Sequence, residues 1–276
     1  MPANQRVVVV TASTDPQRAE PCFASWGDVP RIIVLNSPFG QHSKATNAPA
    51  YDGATVLYHQ DYLGTVPAFK VGVDFALEHT NAEIIACFHD DWIIQEVGWV
   101  EKTLRAFDQH PEVGLLGYGG AIGLGSDDLY QKPYDPMQLA RIGFRSNLVD
   151  AEVHGVRSLL AEEVACLDGF SQVGRRAFWE GRDGYGSGTA VSYPGAKPWH
   201  VLADLNIHHH AYDSALGAIA KRYGWKVWYV PIYGRHLGGA TAVGDAGYQH
   251  CAKQQIEGGD HGFWTYSHEA VYKAFK

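Results

Sequence analysis

The sequence predicts an α/β protein, a single domain with a mostly parallel central sheet flanked by helices. Its apolar segments are short, lack an alternating pattern and end at turn residues, which is typical of strands buried on both faces. Helical patterns lie between these segments, as in a series of βαβ units. The 276 residues, 46% of them hydrophobic, are enough for one large domain or two small ones, and no linker divides the chain.

In the first third of the chain the apolar runs predict strands at residues 6–12, 31–35, 54–58 and 84–88. A helix is predicted over residues 65–78, because Pro67 stands near its start and apolar residues share one side. A second helix is predicted over residues 96–109 and leads into a strand at 113–116. The alternation of strands and helices predicts parallel strand pairing.

The second half of the chain is less regular. The glycine-rich segment 117–125 matches neither phosphate-loop pattern, so it is interpreted as a flexible turn. Residues 126–160 and 181–200 are predicted to be long loops, which are often functional lids. A helix is predicted from Asp204 to Tyr223, ending at Gly224, and a strand at 226–230.

Composition and charge exclude several classes of protein. With 19% charged and 12% aromatic residues, the chain is not disordered, coiled-coil or collagen-like. The net charge of −8 argues against a surface built mainly to bind nucleic acid or anionic membrane. The first apolar run, Val7 to Val10, is too short for a signal peptide, and no run reaches eighteen residues. We therefore expect no membrane span and a cytoplasmic location. The four cysteines form no metal-binding or disulfide pattern.

Two adjacent carboxylates, Asp90 and Asp91, follow the strand at 84–88. In open α/β sheets ligands bind at the carboxyl ends of the strands. Adjacent like charges repel each other, and a hard divalent cation such as Mg²⁺ or Mn²⁺ would relieve that repulsion. The alternative interpretation is a helix-capping Asp next to a solvated one.

The segment 61–72, Asp-Tyr-Leu-Gly-Thr-Val-Pro-Ala-Phe-Lys-Val-Gly, followed by the strand that ends in His89-Asp90-Asp91, resembles family-2-type glycosyltransferases of the GT-A, Rossmann-like fold. The resemblance implies that Asp91 binds a metal held against a nucleotide-sugar diphosphate, and that Asp90 contacts the donor sugar or ribose. His89 stands where the family often has its first Asp, and an imidazole can either coordinate Mn²⁺ or leave the metal with fewer contacts.

The resemblance continues from residue 164 to residue 239. Residues 164–178 are similar to a strand-turn-strand before a short helix, which places Asp168 and Gly169 at a turn over the donor sugar. Residues 210–231 are similar to the segment whose carboxylate deprotonates the acceptor, which implies that Asp213 is the catalytic base. Tyr212 replaces the preceding Glu of that pattern and Ala215 replaces its second Asp. The alternative for Asp213 is an acidic residue favoured by the helix dipole.

Further site residues are implied by the same resemblance. His236 falls where the family completes its metal site. The run His208 to His210 is predicted to lie on a helix, where neighbouring side chains point in different directions and cannot all face one ion. The resemblance implies that residues following the first two strands contact the nucleotide and that Lys70 contacts a phosphate. The alternative for Lys70 is an exposed helix lysine. The nucleotide contacts would be Thr11, Ala12, Ser13 and Asn36.

Taken together, the resemblance implies a metal-dependent inverting glycosyltransferase of the hexosyltransferase kind. It would use Mn²⁺ or Mg²⁺ and transfer a sugar from a nucleotide-diphosphate donor, a UDP-sugar, to an acceptor hydroxyl. The acceptor is open between a saccharide, a small molecule and a DNA base. Two alternatives remain: a nucleotidyltransferase, although the first strand is not followed by a basic glycine-rich loop, and a catalytically inactive carbohydrate- or nucleotide-binding protein.

The predicted organisation is one catalytic domain over residues 1–239. Its nucleotide-binding half covers about residues 1–120 and its acceptor-binding half about residues 121–239. Residues 240–276 are expected to form an extension packed on the domain. Its aromatic residues Trp264, Tyr266 and Tyr272, together with the two long loops, are the predicted acceptor-side elements.

Overall fold

The computed structural model describes residues 2–14, 16–36, 53–59, 62–124, 141–149, 155–184 and 195–237, together with Ser267, Ala270, Val271 and Ala274. The first half contains α1 (Ala3–Arg6), β1 (Val7–Ser13), α2 (Pro16–Ser25), β2 (Arg31–Leu35), β3 (Ala54–Tyr58), α3 (Thr65–His79), β4 (Ile84–His89), β5 (Trp92–Ile94), α4 (Trp99–Gln109) and β6 (Val113–Gly117). The second half contains β7 (Gly119–Leu124), β8 (Arg141–Ser146), β9 (Val156–Arg157), β10 (Glu162–Glu163), β11 (Cys166–Leu167), β12 (Ser171–Arg175), α5 (Arg176–Trp179), α6 (Pro198–Asp204), α7 (Tyr212–Arg222), β13 (Lys226–Tyr229) and β14 (Gly234–His236).

A central eight-stranded sheet has the order β10-β13-β6-β12-β4-β1-β2-β3. Strand β1 pairs in parallel with β2 and β4, β2 with β3, and β13 with β6. Strands β12 and β10 run antiparallel to their neighbours. The predicted α/β architecture with a mostly parallel central sheet flanked by helices is therefore confirmed.

Alternate residues of β1 serve two different cores. Val8 and Val10 belong to the core that β1 and β4 share with α3, α6 and α7. Val7 and Val9 belong to the core on the opposite face, against α2 and α4. Burial on both faces explains why the strand reads as an unbroken apolar run, since neither side of it meets water.

The predicted strands of the first third coincide with β1 to β4 to within one residue at each end, and the helix over 65–78 coincides with α3. The helix predicted over residues 96–109 begins only at Trp99. Before it, Trp92 to Ile94 form β5 against β14, and Gly98 adopts a positive φ of 76° that precedes the helix. Helix α2 was not predicted, because Pro21 lies inside it and its polar sequence gives a weak pattern.

The prediction of a flexible turn at the glycine-rich segment 117–125 is wrong. Residues Gly119–Leu124 form β7, which pairs with β8 and β11 in a four-stranded sheet. The glycines are needed for close packing: a Cβ at Gly119 would lie 2.9 Å from the ring of Phe170, and one at Gly120 would lie 3.0 Å from the carbonyl oxygen of Cys166. The segment is therefore a strand in which glycines leave room for close packing of the neighbouring residues.

The single helix predicted from Asp204 to Tyr223 is also wrong. Helix α6 ends at Asp204, and α7 begins at Tyr212. Asn206 and Ala211 have left-handed φ angles of 57° and 62°, which interrupt the helical path between them. The three consecutive histidines therefore lie on a connection and not on a helix, so the argument that helical geometry separates their side chains does not apply.

The two segments predicted as long loops are only partly described. Strands β8 and β9 fall within residues 126–160, β10 comes shortly after them, and α6 begins within residues 181–200. In the extension after residue 239, Val271 is buried in the core on the α3 side, whereas Trp264, Tyr266 and Tyr272 lie outside the described residues. Within the described ranges, no helix is long and apolar enough to cross a membrane.

Candidate active site

The carboxyl ends of β1 and β4 bring the first predicted site residues together. These strands are adjacent and parallel, with Ala12 opposite His89. Asp90 and Asp91 follow in the turn that leads into β5. The hydroxyl of Ser13, at the end of β1, donates a hydrogen bond of 2.8 Å to Oδ2 of Asp90. Ser13 therefore fixes the orientation of the first carboxylate.

A cavity of about 220 Å³ opens at this edge of the sheet. It joins the ends of β1, β2 and β4 to the start of α3, the histidine connection and β14. Its lining residues are Ala12, Thr14, Asn36, Tyr62, Thr65, Phe69, His89, Asp90, Asp91, His209, His210, Tyr212 and His236. Five of the residues that the sequence predicted to contact the sugar donor or the metal thus line one cavity: Ala12, Asn36, Asp90, Asp91 and His236.

Asp91, His89 and His236 form a compact cluster in which one ligand atom of each residue lies within 4.8 Å of the others. Nε2 of His236 lies 3.1 Å from Oδ1 of Asp91, and Nδ1 of His89 lies 3.8 Å from the same oxygen. Strand β14 holds His236 there, because His236 pairs with Trp92 of β5 and the backbone N–H of Leu237 donates to the carbonyl of Asp91 at 2.9 Å.

The electrostatics of this cluster favour the ionised form of Asp91 and the neutral form of His89. Burial alone would raise the pKa of Asp91, but the imidazoles of His236 and His89 outweigh it and hold that pKa at about 2. Burial lowers the pKa of His89, and the charge of Asp91 opposes that shift in part. A metal binds an ionised carboxylate and the lone pair of a neutral imidazole, so the lowered pKa values of Asp91 and His89 suit both residues as ligands.

These residues fit a divalent cation. Oδ1 of Asp91 is buried, and although Nε2 of His236 lies 3.1 Å away, no hydrogen bond of normal geometry reaches this oxygen from the described residues. A buried carboxylate oxygen without a donor is costly unless a cation faces it. One carboxylate and two imidazoles are a known donor set for divalent metals. His89 thus joins Asp91 and His236 as a candidate ligand.

Tyr212 is a site residue that the sequence did not assign. Its hydroxyl lies 2.6 Å from Nε2 of His89 and donates a hydrogen bond of 3.2 Å to the carbonyl oxygen of Gly169. A Cβ at position 169 would overlap with that hydroxyl. Gly169 was predicted to contact the donor, and in the structure it also makes the space that Tyr212 occupies. The one signal in the sequence was that Tyr212 replaces the Glu of the resembled pattern.

Asp168 and Asp213 do not line the cavity. Asp213 is 6% exposed in the first turn of α7, where its Oδ1 accepts the backbone N–H of Ser214 at 2.8 Å. Asp168 stands in the turn between β11 and β12, where its Oδ1 accepts the backbone N–H of Phe170 at 3.3 Å. Both are close enough for their charges to raise the pKa of His89. They form the acidic surroundings of the cluster.

Of the four predicted nucleotide contacts, only Ala12 and Asn36 line the cavity. Thr11 and Ser13 are buried, and Ala12 between them reaches the cavity. Oδ1 of Asn36 accepts the backbone N–H of Leu63 at 2.7 Å, so this amide also fixes the segment before α3. Lys70 lies outside the cavity lining, 3.5 Å from a carboxylate oxygen of Asp74 on the same helix.

Aromatic rings from two distant segments also line the cavity. The rings of Tyr62 and His209 stack with centroids 5.5 Å apart and an interplanar angle of 18°. Nδ1 of His209 lies 3.0 Å from the hydroxyl of Thr65, and burial lowers the pKa of this imidazole. His210 also lines the cavity, whereas His208 points to Asn206. Sequence reasoning missed this wall, because the rings come from segments more than 140 residues apart.

No protein-family model matches the sequence, and no curated protein matches it significantly. Solved structures similar to this chain include A197 from STIV, with 11% identity, a TM-score of 0.40 and coverage of 82% of each chain. They also include the mannosyltransferase PcManGT from Pyrobaculum calidifontis in complex with GDP-Man and Mn²⁺, with 14% identity, a TM-score of 0.45, and coverage of 97% of this chain and 69% of that one. A third is TarS 1-349 from S. aureus, with 12% identity, a TM-score of 0.41, and coverage of 82% of this chain and 60% of that one. All three TM-scores lie below 0.5.

Proposed function

We propose that this chain is a metal-dependent glycosyltransferase that uses a nucleoside-diphosphate sugar, with UDP as the nucleotide. The observation that carries the proposal is the cluster of Asp91, His89 and His236 beside Asp90, in a cavity at the carboxyl edge of the sheet. That edge is where α/β proteins bind ligands, and a carboxylate paired with a divalent cation is suited to hold a diphosphate.

Each group has a distinct task in this proposal. Asp91, His89 and His236 hold the cation, Mn²⁺ or Mg²⁺. When bound, the cation stabilises the negative charge that develops on the leaving diphosphate. Asp90, oriented by the hydroxyl of Ser13, accepts hydrogen bonds from the ribose or the donor sugar. The stacked rings of Tyr62 and His209 offer a flat surface for the base, next to Ala12 and Asn36.

The acceptor side rests on Asp213 as the general base, in an inverting transfer to a hydroxyl of a saccharide or small molecule. Asp213 is buried beside Tyr212 at the start of α7, and its charge and that of Asp168 act on the imidazole of His89. Asp168 and Gly169 would then contact the sugar, and Lys70 the phosphates. A cytoplasmic location is part of the same proposal, since nucleotide sugars serve as its donors.

Slow hydrolysis of the donor tests the proposal without knowledge of the acceptor. The purified protein is incubated with a panel of UDP- and GDP-sugars, with Mn²⁺, with Mg²⁺ or with a chelator, and free nucleotide is measured. We expect release from at least one donor, abolished by the chelator and lowered at least about 100-fold by Asp91→Asn. The control Asp204→Asn makes the same charge change on an exposed residue outside the cavity and should retain the rate.

Two results would overturn this assignment. Metal-dependent nucleotide binding without any donor cleavage would favour a binding protein, and release of pyrophosphate from a nucleoside triphosphate would favour a nucleotidyltransferase.

The role of Asp213 is tested separately, once an acceptor is found. Asp213→Asn should lower transfer about 10²- to 10⁴-fold and leave donor hydrolysis by water within a few fold. Equal transfer by this variant and the wild type would exclude Asp213 as the base.

A further inference from the structure

Two hydrogen bonds connect the Tyr212 hydroxyl with Gly169 and with His89. The carbonyl oxygen of Gly169 can only accept, so the Tyr212 hydroxyl donates its proton to it, at 3.2 Å. The hydroxyl oxygen, 2.6 Å from Nε2 of His89, then accepts a hydrogen bond from that nitrogen. Because a neutral imidazole carries one proton, Nε2 holds it and Nδ1 carries the lone pair.

That lone pair is on the side of the ring that faces the metal cluster. Nδ1 of His89 lies 3.8 Å from Oδ1 of Asp91, and the ring centroids of His89 and His236 are 5.9 Å apart. A divalent cation bound by both atoms would relieve the repulsion between the lone pair and the carboxylate charge. The hydrogen bonds from Tyr212 to Gly169 and from His89 to Tyr212 thus leave Nδ1 of His89 available as a metal ligand. The family that the sequence resembles often has an Asp at this position.

The surroundings keep Tyr212 in this position. Tyr212 is 4% exposed at the start of α7, and its ring lies 5.8 Å from the ring of Trp199. Only a glycine at position 169 leaves room for the hydroxyl. Phe69 stacks against His89 on another side, at an interplanar angle of 12°. The orientation of the His89 ring is therefore determined by packing and by one hydrogen bond.

We propose that Tyr212 is a positioning residue that presents Nδ1 of His89 as a metal ligand, so that the site binds first-row transition cations in preference to Mg²⁺. This rests on the metal site of the proposed function and deepens it. Hydrogen bonds to the distal nitrogen of a ligating histidine fix its tautomer and increase its basicity. Mg²⁺ prefers oxygen ligands, whereas two imidazoles with one carboxylate suit transition metals.

Tyr212→Phe tests this by removing the hydroxyl and keeping the ring. Binding of Co²⁺ and of Mg²⁺ is measured by calorimetry, with the visible spectrum of bound Co²⁺ as a second readout. We expect Co²⁺ affinity to fall about 10- to 100-fold and Mg²⁺ affinity to change less than about threefold. The matched control is Tyr223→Phe, which removes another buried hydroxyl, bonded to the carbonyl of Ala196 at 2.7 Å, outside the cavity.

The tautomer itself is measured in metal-free protein by the ¹⁵N shifts of the His89 ring. We expect a protonated Nε2 in the wild type and in Tyr223→Phe, and a mixture of tautomers in Tyr212→Phe. A thermal unfolding scan identifies a variant that fails to fold, in which case Tyr212→Met, with a similar volume and no hydroxyl, replaces it.

Three results would overturn the proposal: a protonated Nδ1 in wild-type His89, unchanged Co²⁺ affinity in Tyr212→Phe, or equal losses of Co²⁺ and Mg²⁺ binding. Failure of the proposed function gives a different pattern. If the wild type binds Co²⁺ through Asp91 and His89 but cleaves no nucleotide sugar, the positioning role stands and the glycosyltransferase assignment falls.

Discussion

At the scale of single residues, the site is built from groups whose properties depend on neighbours far away in the sequence. The acidity of Asp91 comes from His236, which is 145 positions later, and the tautomer of His89 depends on Tyr212. Asp90, Asp91 and His236 could be predicted, because a carboxylate or histidine at the end of a buried strand has a defined place. The roles of Tyr212, Tyr62 and His209 could not, since their contacts exist only after the chain folds.

Ser13 gives a test of how the first carboxylate is oriented. Ser13→Ala removes the hydrogen bond that orients Oδ2 of Asp90. We expect the affinity for a nucleotide sugar in the presence of Mn²⁺ to fall about fivefold, the equivalent of about 1 kcal/mol. Calorimetric titration measures it. The control Ser158→Ala removes a hydroxyl that donates to the carbonyl of Leu160 at 3.3 Å, outside the cavity lining. A fall of the same size in both variants would refute a specific role for Ser13.

At the scale of elements, the strands were predicted well and the connections poorly. Apolar, β-branched runs such as Arg31–Leu35 carry their own signal, because burial on both faces excludes polar residues. Strand β7 lacks that signal, since close packing required glycines in it. The break between α6 and α7 depends on the left-handed backbone of Asn206 and Ala211, which neither residue type requires. The local pattern of apolar residues therefore located the buried strands. It missed β7 and the break after α6, which depend on contacts with residues distant in the sequence.

Helix α3 makes a close approach to the sheet at Gly72. A Cβ there would overlap with a methyl group of Val10 and lie 3.1 Å from one of Val34, both on stiff side chains in buried strands. Gly72→Ala gains about 1 kcal/mol of helix propensity, but overpacking should outweigh it. We expect a net loss of about 1–2 kcal/mol in the free energy of unfolding, measured with urea. Glu78→Ala, on the exposed side of the same helix, should stay within about 0.5 kcal/mol. A more stable Gly72→Ala variant would contradict the close approach.

Helix α3 is also tied to α6 by charge. Asp74 lies 2.6 Å from Nζ of Lys197 and 2.8 Å from Nε2 of His200. Burial opposes ionisation of Asp74, yet the hydrogen bonds to Lys197 and His200 outweigh it and lower the pKa. A lowered pKa in the folded state contributes stability above the pKa of the unfolded chain and loses it as the pH falls.

Asp74→Asn should therefore lower the free energy of unfolding by about 1 kcal/mol at pH 7. The difference from the wild type should shrink as the pH falls through about 4 and disappear once Asp74 of the wild type is protonated. Urea unfolding at pH 7, 5 and 3.5 measures it, with Asp204→Asn as the exposed control. A difference that stays constant from pH 7 to 3.5 would show that the loss is not electrostatic.

At the scale of the whole molecule, the metal cluster connects parts of the chain that belong to different layers. Asp91 follows a central strand, His236 lies on the small sheet of β5 and β14, and Tyr212 begins a helix on the opposite face. The sheet separates two cores that share β1 and β4. The general architecture was predictable because apolar runs alternate with helical patterns along the sequence. The assembly of the site was not, since it depends on how late segments return to the edge of the early strands.

A cation bound to this cluster should consequently stabilise the entire fold. A ligand that binds only the folded state contributes about 2.7 kcal/mol at 100 times its dissociation constant. For a chain of this size we expect the midpoint of thermal unfolding to rise by roughly 5–10 °C with saturating Mn²⁺, and to return with a chelator. Differential scanning fluorimetry measures the shift, and Asp204→Asn should retain it. Asp91→Asn should lose it, because the cation would then lack its only charged ligand among the three clustered residues. A full shift in Asp91→Asn would place the cation elsewhere and remove the basis for assigning this edge of the sheet to a nucleotide diphosphate.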